Sequence, residues 1–103
     1  MIVTENGISC RDWVSIDGQV KDQNRIDFLS RYLCALMKAA AEGVDVRGYF
    51  LWSMLDNFEW AEGFKERFGI VHVDFETQRR TIKESGHWFS EVVLTNGNSL
   101  FSK

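Results

Sequence analysis

An α/β fold, with parallel strands and helices packed outside them, is predicted by three observations. Short runs of β-prone residues alternate with stretches of helical period, in the order strand, loop, helix, strand, loop, helix. The second strand candidate is apolar on both faces after Arg47, as a strand covered on both sides has to be. Successive β/α units of this kind place their strands parallel. Two parallel strands do not make a stable sheet, and they leave both edges open. The pattern therefore predicts part of a larger α/β domain.

The elements follow in order. Ile2, Val3 and Thr4 form a β-prone run that Asn6-Gly7, a turn signal, brings to an end. Residues 8–18 have no period and read as a loop. Asp22 or Asn24 is placed to cap a helix in which Ile26, Leu29, Leu33, Leu36 and Ala40 recur at steps of three and four. Tyr32 and Met37 widen that face. Gly43 is expected to close the helix in a left-handed conformation, with Lys38 near the negative end of the dipole. Residues 44–53 read as the second strand and 56–66 as a long loop. Residues 68–75 look extended and are closed by a turn near Thr77-Gln78. Residues 83–94 read as a last helix with Trp88 and Val92 inward, stopped by Asn96-Gly97, and the tail to Lys103 reads as polar and loose.

Composition excludes several classes. In 103 residues, fifteen acidic side chains against twelve basic ones leave no basic stripe for nucleic acid. No apolar run reaches membrane-spanning length, so no membrane partner is expected. The start Met1-Ile2-Val3 has no signal-peptide design, which points to the cytoplasm, with the natural N-terminus expected upstream. Cys10 and Cys34 lack CxxC spacing and read as free thiols in a reducing compartment. His72 and His87 have no ligand-spaced partner, so no metal and no cofactor is expected. Arg79, Arg80 and Lys83 read as a solvated turn.

The candidate chemistry lies at strand ends. Glu5 closes the first strand, where βα loops converge in a β/α barrel and where a carboxylate can act as nucleophile or base. A solvated charge at a turn is the competing reading. The run from Gly48 to Trp60 begins as a buried strand and ends in a loop rich in acids and aromatics. Trp52, Glu59 and Trp60 would face the same end of the sheet as Glu5. Such a mixture suits carbohydrate, because aromatic faces cover pyranose C–H surfaces while carboxylates accept paired hydroxyl bonds. Core packing of the tryptophans is the plainer alternative.

Three segments, in order, carry a resemblance. Val3-Thr4-Glu5-Asn6-Gly7, then Leu51-Trp52-Ser53-Met54-Leu55-Asp56-Asn57-Phe58-Glu59-Trp60, then Arg67-Phe68-Gly69-Ile70-Val71-His72-Val73-Asp74 closely resemble glycoside hydrolase family 1. The likeness runs from Ile2 to Gly97 and is to the C-terminal portion of a β-glucosidase. It implies the last two β/α units, strands seven and eight with their helices, of a (β/α)8 TIM barrel that is incomplete as given. Residues 1–103 would then be the C-terminal part of one catalytic domain. The resemblance makes Glu5 the catalytic nucleophile and makes Trp52, Glu59, Trp60 and Phe68 the residues that bind the non-reducing sugar. The implied reaction is retaining hydrolysis of terminal β-D-glucosyl residues from β-glucosides or cello-oligosaccharides. Its two carboxylates would sit about 5 Å apart.

One half of that pair is missing. The family's acid/base glutamate stands in an Asn-Glu-Pro motif, and this sequence has neither that motif nor any proline. These residues alone are expected to be inactive, with the rest of the barrel or copies of the chain as protein partners. Ile82 also stands where the family commonly has proline. A sugar-binding or inert structural fragment is the alternative, and a 6-phospho-β-glucosidase a further one. A phosphate on O6 would meet Glu59 as like charge.

Overall fold

The first strand, β1 (Ile2–Asn6), and the second, β2 (Gly48–Leu51), pair in parallel, with Ile2 opposite Gly48 and Val3 opposite Tyr49. The computed structural model describes residues 1–57 and 66–101. Between the strands runs α1 (Gln23–Ala41), the crossover that a parallel connection needs. After β2 come β3 (Val71–Val73) and β4 (Arg80–Ile82), then α2 (Glu84–Leu94) and a short 3-10 helix (Asn98–Phe101). The expected β/α order holds, and a hairpin is inserted into its second unit.

That hairpin refines the extended segment foreseen for residues 68–75. Only 71–73 are strand, and β4 returns antiparallel to them, with His72 opposite Thr81. Gln78 adopts a left-handed conformation at φ 66° at the turn. The second parallel strand is also shorter than the apolar run of 44–53 suggested, because β1 offers only five residues to pair with. The tail is more ordered than expected. Asn96 and Gly97 are both left-handed, and the Gly97 N–H donates to Val92 O at 2.8 Å, closing α2 before the 3-10 turn.

Helix α1 turns Leu29 and Leu33 inward, with Ile26 and Leu36 half-buried, as the period of three and four requires. A charged residue is buried with them, since Arg25 is only 1% exposed. Gly43 is left-handed at φ 105°, and Lys38 lies in the last turn. The expected side-chain cap does not form. Asp22 is the N-cap residue, but its carboxylate is drawn off to Arg25 and Ser85, leaving only its carbonyl to begin the helix. The compact core beneath the helices contains Val20, Leu29, Leu33, Val73 and Val92. Tyr49 joins it from β2 against Phe89, with ring centroids 6.4 Å apart. The opposite face of the strand pair is bare. Phe50 and Met54 are 62% and 70% exposed. The apolar pattern of β2 predicted cover on both faces, and the described residues supply only one.

Candidate active site

Glu5 owes its direction to an extra residue in β1. Val3 pairs with Tyr49 and Asn6 with Leu51, so three steps along β1 oppose two along β2. Strict alternation would turn Val3 and Glu5 to the same side. The bulge breaks it, so Thr4 and Glu5 are both exposed, while Asn6 turns back to accept from the Tyr49 hydroxyl at 2.7 Å. Burial pushes that phenol up to about 12, which keeps it protonated as the donor.

The exits of the two strands touch. The Trp52 N–H donates to Asn6 O at 2.9 Å, and Gly7 lies directly against the Trp52 carbonyl. A Cβ on Gly7 would stand 2.0 Å from that oxygen. Glycine is therefore needed for close approach and not for a left-handed turn, which corrects the reason the Asn-Gly pair first suggested. Trp52 is 41% exposed beside this junction, and its peptide bond to Ser53 is cis.

Phe68 is half-buried and reaches the same rim through its backbone. Its carbonyl accepts from Ser53 N–H at 3.2 Å, and Ile70 N–H donates to Ser53 O at 3.0 Å. The structure thus brings Glu5, Trp52 and Phe68 to the carboxyl ends of β1 and β2. Glu59 and Trp60 lie outside the described residues. An apolar groove walled by Leu33, Met37, Phe89 and Val92 lies between α1 and α2, on the helical side of the sheet. It is a packing seam, remote from the strand ends where the chemistry is placed.

Beneath the rim sits a buried ionic cluster that sequence reading missed. Lys83, expected in a solvated turn, is fully buried and donates to Asp12 at 2.6 Å and to Asp56 at 2.8 Å. Asp12 also meets Arg25 at 2.8 Å, Arg25 binds Asp22, and Arg67 binds Asp56 at 2.7 Å. Three carboxylates thus face three cations, so the cluster is neutral, as burial demands. Arg79 and Arg80 remain exposed, as expected. Burial pushes the Asp56 carboxyl up. Lys83, Arg67 and the Val73 N–H together outweigh that and hold it below the usual carboxylate value. Cys10 and Cys34 are free thiols, and burial pushes Cys10 up, so it stays an inert core residue. No group of three His, Cys, Asp or Glu suited to a metal occurs among the described residues.

A carboxylate and aromatics are thus gathered where parallel strands end, the place where β/α barrels in general carry their active sites. Residues 1–98 match the family described as Glycosyl hydrolase family 1, and the chain belongs to that family. It is 58% identical over 95 residues to β-glucosidase A of Thermotoga maritima, covering 92% of this chain and 21% of that protein. It is 50% identical over 97 residues to a bifunctional β-D-glucosidase/β-D-fucosidase of Bifidobacterium breve, covering 90% and 21%. The solved family 1 β-glucosidase of Thermotoga maritima superposes with a TM-score of 0.91 at 57% identity, over 93% of this chain and 22% of that one. The same enzyme has been solved with glucoimidazole. The chain spans about a fifth of the length of these relatives and is a segment of a (β/α)8 fold.

Proposed function

We propose that the chain carries the seventh and eighth β/α units of a retaining β-glucosidase. The enzyme would act on terminal β-D-glucosyl residues of β-glucosides and cello-oligosaccharides. The observation that carries this reading is the bulge of β1, which frees Glu5 from the helix-facing side next to the Trp52 junction. Glu5 attacks the anomeric carbon and forms a covalent glycosyl intermediate while the leaving oxygen takes a proton. That proton comes from an acid that this chain lacks, so residues 1–103 are inactive alone. The same acid, now a base, activates the water that releases the sugar. Trp52 and Phe68 cover the apolar side of the glucosyl ring, and Glu59 and Trp60 bind its far hydroxyls.

The test is a chimera of the Thermotoga maritima enzyme in which residues 1–98 of this chain replace the matching segment. It should hydrolyse nitrophenyl β-glucoside, with β-glucose as the first product by NMR. Glu5→Gln should lower kcat by at least roughly a thousandfold. An α-configured first product, or an active Glu5→Gln, overturns the mechanism. Preference for the 6-phosphorylated glucoside overturns the substrate.

A further inference from the structure

Asp56 is four residues beyond Trp52, and its carboxylate is the most heavily bonded among the described residues. One oxygen accepts from Lys83 Nζ at 2.8 Å and from Gly69 N–H at 3.0 Å. The other accepts from Arg67 Nη1 at 2.7 Å and from Val73 N–H at 3.2 Å. All four lone-pair positions are used, and the side chain is fully buried. Two of these donors are backbone groups, the Gly69 N–H directly after Phe68 and the Val73 N–H in β3. Gly69 is pressed so close that a Cβ there would stand 2.4 Å from Asp56 N and 2.8 Å from its Oδ1. On the other side, residues 68–71 are laced to 53–56 by backbone bonds from Ser53, Ile70, Val71 and Asp56.

We infer that Asp56 is the positioning residue of the sugar-binding wall. Its carboxylate locks the backbone of Phe68 and Gly69 onto the strand exit that carries Trp52, and so sets how the two aromatics stand to each other. The charge is needed for this, because all four donors require acceptors. An asparagine would turn its NH2 toward two of them, either Lys83 and Gly69 or Arg67 and Val73. Lys83 and Arg67 are the counterions, and Lys83 also reaches Asp12 in the loop that follows the Glu5 strand. One neutral cluster thereby ties the loop after the nucleophile to the wall that grips the sugar.

This rests on the glucosidase reading, and the same chimera separates the two. Asp56→Asn should raise KM for nitrophenyl β-glucoside by about tenfold or more while kcat changes far less. Its affinity for glucoimidazole should fall in parallel, and the Gly69 and Val73 amides should exchange faster with solvent. Ser85→Ala, which loses only the hydroxyl contact to Asp22 in the same cluster, should lower Tm and leave KM and both amides unchanged. An Asp56→Asn chimera with wild-type KM and slow amides overturns the inference, as does a Ser85→Ala chimera with the same KM rise. Should Asp56→Asn fail to fold, Arg67→Lys is read by the same criteria. If the unsubstituted chimera does not hydrolyse the glucoside, the glucosidase reading fails by itself. Amide exchange and glucoimidazole binding then still decide the role of Asp56.

Discussion

Gly69 shows at residue scale why a small side chain can matter more than a large one. The space its Cβ would occupy is already held by Asp56 N at 2.4 Å and Leu55 C at 2.5 Å, both backbone atoms that cannot swing aside. Gly69→Ala should therefore destabilise the fold by about 2 kcal/mol or more, through displacement of the 68–71 strip. Denaturant unfolding of the substituted chimera checks this, and a loss below about 0.5 kcal/mol would show that the strip yields freely. Lys83 teaches the companion lesson about what a sequence reveals. Beside Arg79 and Arg80 it reads as one more solvated cation, because its carboxylate partners lie 71 and 27 positions away. Arg25 is equally hidden within an apolar stripe whose period it does not break. The place of Glu5 and Trp52 was legible because it falls at strand ends that the pattern itself marks.

Among the elements, the β3–β4 hairpin couples the fold to pH. His72 is 7% exposed at its centre. Burial, reinforced by the positive charge of Arg67 and Lys83, holds its imidazole below the ordinary value of 6.5, while Asp56 and Asp12 oppose this from the cluster side. The unfolded chain then takes up a proton more readily than the folded one. Stability should accordingly decline as pH drops through 6.5, and continue declining until the folded imidazole also protonates. Asp56 acts lower down. Its depressed carboxyl contributes stability above the ordinary 3.8, and that contribution disappears as pH falls through the folded value. Unfolding midpoints between pH 7 and 5 should slope downward in the chimera and flatten in His72→Gln. An unchanged slope would assign the effect to another group. The hairpin was only half legible. The apolar run of β3 was plain, whereas β4 consists of Arg80, Thr81 and Ile82, two polar residues and an exposed isoleucine that gain strand geometry only from pairing. Helices α1 and α2 were legible almost to the residue, because a period sustained over three or more turns outweighs local accidents.

The whole molecule is defined by the surface it leaves unpaired. Among the described residues neither outer edge of the β1–β2 pair meets another strand, and Ile2, Phe50 and Met54 lie 54%, 62% and 70% exposed on or beside the pair. Exposed apolar side chains next to open strand edges drive association. Relatives about five times as long have the sequence to cover that face. The 103 residues alone should therefore run well above their 11.9 kDa in sedimentation. Co-expressed with the remaining four-fifths of the Thermotoga maritima enzyme, they should instead form a single one-to-one particle. The proposed division of labour adds a sharper requirement, since one part carries the nucleophile and the other must supply the acid. Glucoside hydrolysis should appear only in the mixture and vanish when the chain carries Glu5→Gln, although the particle still assembles. A chain that stays monomeric and elutes apart from its complement would show that the bare face is not a barrel interior. Assembly without hydrolysis would place the fault in the site and not in the fold.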